Sequence, residues 1–144
     1  MGDRVMVLNK GVVHQLGTPT DVYDNPADTF VATFLGSPPM NLVEMGDVTV
    51  GFRPEHFRPA SAGSGEAVPF RFKVENREYL GSEWIVSGTL VGGKFEGKKI
   101  FSRLGSAQDL RLDDTCDFVV PQRELKFFDR TTEKRVEPRG LSWQ

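Results

Sequence analysis

The stretch "TFVATFLGSPPMNLVE", Thr29 to Glu44, is a seam. Before it the chain carries helix signals; after it the chain reads almost entirely as strands. Ala27, Phe30, Val31, Phe34 and Leu35 recur at i, i+3, i+4, i+7 and i+8, the stripe of a helix with one buried face. Gly36 follows the last apolar residue, where glycine stops a helix by entering the left-handed region without a clash. Pro38 and Pro39 cannot continue it, because each lacks an N–H and restricts the residue before it. Met40 to Glu44 then reads as extended chain. The pattern predicts the tail of one domain, a stiff connector and a separate β-domain.

Upstream of the seam, "RVMVLN" (Arg4 to Asn9) is a compact strand signal, Asn9-Lys10-Gly11 a turn signal, and Val12 to Leu16 a second strand, so a hairpin is expected. Val5 and Val7 face one way, Met6 and Leu8 the other. Both faces are apolar, which a two-stranded hairpin cannot stabilise alone. Two helix starts follow. Thr18-Pro19 with Asp21, and Asn25-Pro26 with Asp28, each set a capping side chain before a proline and an acid three residues on.

Downstream, Asn41 to Glu44 and Val48 to Arg53 read as strands, the second ended by Pro54. Arg58 to Glu66 is an Ala/Gly/Ser-rich loop. Val68 to Leu80 is one long extended segment in which Phe70, Phe72 and Val74 alternate with Arg71, Lys73 and Glu75. The phase then slips, since Tyr79 and Leu80 are adjacent, and a bulge near Glu75 to Arg77 is expected. Glu83 to Leu90, Lys99 to Arg103, Thr115 to Val120, Leu125 to Phe128 and Lys134 to Val136 are further strands. Gly105 to Leu112 is irregular, and Gly140 to Gln144 reads as a loose tail. Short strands with frequent turns, one of them long enough to bend across two sheets, indicate a mainly β chain. The architecture expected is an OB-type small barrel, preceded by a β-hairpin and two short helices.

The 144 residues hold one modest core or a small domain with an appendage. A formal net charge of −2 argues against a strongly basic nucleic-acid binder. Cys116 is the one cysteine and there are two histidines, so neither an internal disulfide nor a metal-type Cys/His spacing is available. The cytosol is the expected compartment. No apolar run approaches the ~18–20 residues of a membrane span, and the start of the chain lacks a signal-peptide pattern.

Few residues carry candidate chemistry. "GGKFEG", Gly92 to Gly97, looks like a glycine-rich phosphate loop, but strand signals flank it on both sides where a phosphate cradle needs a following helix; a hairpin turn is the simpler reading. "RPEH", Arg53 to His56, gathers an ion pair and an imidazole. An acid–base pair could be built from it, yet no nucleophile has an evident place beside it, and structural use of Arg53, Glu55 and His56 is favoured. Trp84 follows Gly81, Ser82 and Glu83 at the start of a strand, where an aromatic ring stacks a base or sugar or packs in a core or interface. Cys116 lies in an apolar strand and reads as an inert small hydrophobe.

The residues from Asp3 to Glu44 closely resemble the end of the nucleotide-binding domain, with its connector, in ATP-binding subunits of bacterial ABC importers of the maltose, sugar and glycerol-phosphate type. The resemblance rests on the ordered set Asn9-Lys10-Gly11, Gln15, Gly17-Thr18-Pro19, Asp21, Tyr23, Pro26, Phe30-Val31-Ala32, Phe34, Gly36-Ser37-Pro38 and Met40-Asn41. "GFRPEHF" (Gly51 to Phe57), "LGSE" (Leu80 to Glu83) and "FFDRTTEKRV" (Phe127 to Val136) resemble the TOBE domain, an OB-type regulatory barrel, that follows in that family. The chain departs from the pattern at Glu133, where the last hairpin often carries glycine.

The resemblance implies residues 1–40 as the end of a nucleotide-binding domain with its connector, and 41–144 as the TOBE domain. It implies a regulatory, dimer-forming role in an importer. The Walker and signature motifs of the family would lie before Met1, so this chain is expected not to be an enzyme and to hold no cofactor, while ATP and Mg belong to the full-length subunit. The implied partners are a second copy, membrane-spanning permease subunits and a regulatory protein, with no nucleic acid, on the inner face of the cell membrane. Arg53, Glu55, His56, Gly81, Ser82, Glu83, Trp84, Phe127 and Phe128 are the candidate regulatory or interface residues. The competing reading is a free-standing OB-type module for a small ligand or nucleic acid.

Overall fold

A computed structural model describes residues 3–60, 66–106 and 110–138. The expected loop Arg58 to Glu66 and the irregular stretch Gly105 to Leu112 lie partly outside the described residues, and the expected tail Gly140 to Gln144 wholly so. The chain is mainly β and divides into two compact units, one of Met1–Gly51 with Lys126–Arg139, the other built on Phe52–Leu125.

The first unit opens with the hairpin β1 (Val5–Asn9) and β2 (Val12–Gly17). Lys10 and Gly11 both take positive φ, 52° and 80°, the left-handed pair that a tight hairpin turn requires. Val7 is buried and packs with Val22 and Val31, joined by Val5, Phe30 and Leu35. The opposite face carries the cross-strand neighbours Met6 and Leu16, and Leu8 and Val13, all about half exposed. Helix α1 (Pro19–Asp24) is capped by Thr18, whose hydroxyl accepts from the Asp21 N–H. Helix α2 (Thr29–Phe34) is capped by Asp28 rather than by the expected Asn25. Pro26 therefore precedes the helix instead of opening it, and the carboxylate expected in the first turn is itself the cap. Gly36, at φ 100°, follows the end of α2. Strands β3 (Asn41–Met45), β4 (Val48–Phe52), β10 (Lys126–Asp129) and β11 (Arg135–Val136) form a sheet in the order β11-β10-β4-β3.

The second unit is a five-stranded antiparallel sheet in the order β5-β9-β6-β7-β8, made of Arg58–Pro59, Thr115–Pro121, Ala67–Tyr79, Trp84–Leu90 and Lys99–Leu104. It is the curled, half-barrel sheet of an OB-type fold. Its core is aromatic. The Phe57 ring lies 4.7 Å from Phe118, 5.0 Å from Phe72, 5.6 Å from Phe52 and 5.9 Å from Phe70 between centroids, and each such pair adds roughly 0.5–1.5 kcal/mol beyond area burial. The buried Ser102 hydroxyl on β8 donates to the Phe57 carbonyl, tying one edge strand to the turn that leads into the other.

Candidate functional site

The long strand β6 decides what the second unit displays. Val68, Phe70, Phe72 and Val74 are buried and alternate with solvent-facing residues. The register against β7 shifts between Val74 and Asn76, so Glu75 is the bulged residue, as expected from the phase slip. One extra residue reverses the alternation beyond it. Arg77 now pairs with the buried Val86, and Tyr79 with Trp84. Directly paired residues share a face, and across β7 the same face continues to Ser102 and Leu104. The bulge thus carries Arg77 and Tyr79 onto the face that holds the core, at its open end.

There the side chains stack. Tyr79 and Trp84 rings lie 5.0 Å apart between centroids. The Arg77 guanidinium carbon stands 5.7 Å from the centre of the Trp84 ring, within cation–π range. Arg77 also donates to the Leu110 carbonyl at 2.8 Å. Tyr79 is 57% exposed and Leu80 50%, while Trp84 is half-buried. Gly81, at φ 94°, and Ser82 form the exposed turn; the Leu80 N–H donates to the Glu83 carbonyl at 2.8 Å. The Glu83 carboxylate faces Arg103 Nε at 3.2 Å. The sequence reading singled out Gly81 to Trp84 as candidates and did not foresee that Arg77 and Tyr79 stand beside Trp84. The phase slip was the signal that could have found them.

"RPEH" forms a second, separate cluster. Arg53 is buried and leads into a 3-10 turn at Pro54–His56. His56 Nε2 lies 3.1 Å from the Glu124 carboxylate, a partner the sequence reading did not identify. The Glu55 carbonyl accepts from Arg58 at 3.0 Å. The turn is stapled to its neighbours by these contacts. Phe127 and Phe128 belong to the first unit and are buried on β10, Phe128 packing with Ala32 and Met40. Their rings build the core of that unit and are not displayed as a surface. "GGKFEG" joins β7 to β8 through a 3-10 turn at Gly93–Phe95, so no helix N-terminus stands behind it.

Among the described residues no group of three or more His, Cys, Asp or Glu could hold a metal. Burial and the neighbouring Asp114 push the Cys116 thiol up. Burial lowers the Arg135 guanidinium, with Glu137 opposing the shift. No described helix is long and apolar enough to cross a membrane.

The chain has curated relatives along nearly its whole length. It is 37% identical over 158 residues to the sn-glycerol-3-phosphate import ATP-binding protein UgpC of Ruegeria pomeroyi, covering 94% of this chain and 43% of the relative. Against the protein of the same name from Chromobacterium violaceum it is 33% identical, covering 99% of this chain and 44% of the relative. Against that of Rhizobium meliloti it is 33% identical, covering 90% and 41%. The chain thus spans less than half the length of the relatives it matches. No family model matches it.

Proposed function

From the relationship of this chain to the C-terminal part of ABC-importer ATP-binding subunits, we propose that it is the regulatory, dimer-forming region of such a subunit. The importer would carry a sugar or a related solute such as a glycerol phosphate ester. The observation that carries this reading is the match over 90–99% of this chain against 41–44% of each of the three relatives.

On this reading residues 1–40 complete a nucleotide-binding domain, and 41–144 form the TOBE domain. The exposed face of the β1–β2 hairpin, with Met6, Leu8, Val13 and Leu16, is the part of that domain's sheet covered in the full subunit. ATP and Mg bind in the remainder of the subunit, and permease subunits anchor it to the inner face of the membrane. The Arg77–Trp84–Tyr79 stack and the Gly81 to Glu83 turn form the surface met by a second copy or by a regulatory protein. Arg53, Glu55 and His56 hold the turn behind the aromatic core, and Phe127 and Phe128 support the first unit.

The stacked aromatics and guanidinium also fit a free-standing module that stacks a base or sugar. Two measurements separate the readings. An antibody against this chain should detect, in source cells, a membrane-sedimenting band much heavier than 16.1 kDa. Sedimentation of the purified chain should show a concentration-dependent dimer that ignores oligonucleotides. A soluble band at the chain's own mass, with salt-dependent oligonucleotide binding, would favour the free-standing module.

A further inference from the structure

The short strip from Asn25 to Thr29 is gripped from two sides within the first unit. On one side β2 holds it by side chains. His14 Nδ1 lies 2.6 Å from Asp28 Oδ2. Gln15 donates to the Asn25 carbonyl at 3.0 Å and accepts from the Ala27 N–H at 2.8 Å. On the other side the turn after β10 holds it by backbone. Thr29 N–H donates to the Glu133 carbonyl at 3.0 Å, Arg135 N–H to the Ala27 carbonyl at 2.8 Å, and Asp28 forms an antiparallel bridge with Lys134.

Asp28 stands in both grips and also starts α2. Its second carboxylate oxygen accepts from the Val31 N–H at 2.9 Å. Phe30, two residues on, lays its ring 4.7 Å from the His14 ring. The carboxylate is 15% exposed, so its bonds compete little with water. His14 holds the strip at Asp28, and Arg135 holds it at Ala27 and Pro26. Displacing the strip to satisfy one grip misaligns the other.

We infer that the Asn25–Thr29 strip, with Asp28 at its centre, is a mechanical coupler between the β1–β2 hairpin and the β10–β11 return. A change in either hairpin is felt in the other through the strip's backbone. This rests on contacts inside one unit and stands whether or not the importer reading holds.

The test is residue-resolved amide exchange on the full 144-residue chain in two variants. His14→Gln loosens the side-chain grip, and Glu133→Pro loosens the backbone grip from the far side. Coupling is reciprocal. His14→Gln should therefore speed exchange of the Thr29 and Arg135 amides, and Glu133→Pro that of the Ala27 amide, each by at least about fivefold. The amide of Val50, buried on the inner strand β4 of the same unit, reports that this unit is still folded. If Glu133→Pro speeds that control as well, Glu133→Val replaces it. Acceleration confined to the near side of either variant overturns the coupler, as does transmission in one direction only.

Discussion

Gly88 on β7 and Lys73 on β6 approach so closely that a Cβ at position 88 would lie 1.8 Å from the Lys73 carbonyl oxygen. The contact sits beside the register shift, where Val74 pairs with Gly88 before the bulge. A bulge bends its strand and tightens the local twist, and at this close approach only a residue without a side chain fits.

Gly88→Ala should therefore be among the most damaging single changes in the second unit. The clash is with backbone, which cannot rotate away, so strain of about 3 kcal/mol or more is expected. Gly51→Ala is the control. Its Cβ would meet Met40 Sδ at 2.6 Å and Leu42 Cδ2 at 3.0 Å, both ends of flexible side chains, and should cost about 1–2 kcal/mol. Urea unfolding of the two variants measures the difference; equal losses would remove the special role of the bulge.

Ser102→Ala removes the donor that ties β8 to the Phe57 carbonyl. Both groups are buried, and the orphaned carbonyl keeps its desolvation cost, so a loss of about 1–3 kcal/mol follows. Ser102→Thr adds a methyl to a fully buried site and should not restore the stability of the native chain. Thermal unfolding of both variants decides it, and a neutral Ser102→Ala would show the barrel edge to be held by packing alone.

Trp84→Ala should separate stability from association. The indole is half-buried and stacked on Tyr79 and Arg77, so its loss costs less than the ~3–5 kcal/mol of a core aromatic. If the stack is the surface met by a second copy, the variant stays folded and sediments as a monomer at concentrations where the native chain dimerises. Phe57→Ala, at the centre of the aromatic core, should instead unfold the second unit. A dimer unchanged by Trp84→Ala would move the interface elsewhere.

Most strands were legible because their signals are local. The alternation of Phe70, Phe72 and Val74, the turn at Asn9 to Gly11 and the proline after Arg53 each act within a few residues. Even the bulge near Glu75 was legible, as a break in period. Its consequence was not read, because placing Arg77 beside Trp84 depends on which residues pair across β6 and β7. The cap of α2 was misassigned for a related reason. Asn25 and Asp28 are equally good caps locally, and the choice falls to Asp28 because His14 and Lys134, both distant in sequence, hold it in an extended conformation at the helix start. Phe127 and Phe128 became candidates through the family resemblance alone, and both rings are buried on β10, a placement fixed by pairing with the distant strand β4.

Cys116 should react slowly. Burial and Asp114 raise its pKa, while Arg71 opposes them, so at neutral pH the folded chain holds less thiolate than an exposed cysteine. The rate with a disulfide reagent should be lower for the native than for the urea-unfolded chain, and should climb as pH rises through the raised pKa. The same sign applies to stability. The unfolded thiol ionises first as pH increases, so this contribution is fully present below the ordinary thiol range and is lost as pH rises through the folded value. Native reactivity matching that of the unfolded chain at neutral pH would contradict this.

Glu133 holds φ at 67°, in the left-handed region that costs an L-residue about 1–2 kcal/mol. It cannot relax, because its N–H donates to Asp129 at 2.7 Å and its carbonyl accepts from Thr29. Glu133→Gly removes that strain but adds about 0.5–1 kcal/mol of unfolded-chain entropy. The net is a gain of up to about 1.5 kcal/mol, or a few degrees in Tm. Glu133→Val, branched at Cβ, should fall below the native chain. The order Gly above Glu above Val in thermal unfolding is the expected result. Glycine at or below glutamate would mean that the Glu133 side chain contributes more to the turn than its backbone strain removes.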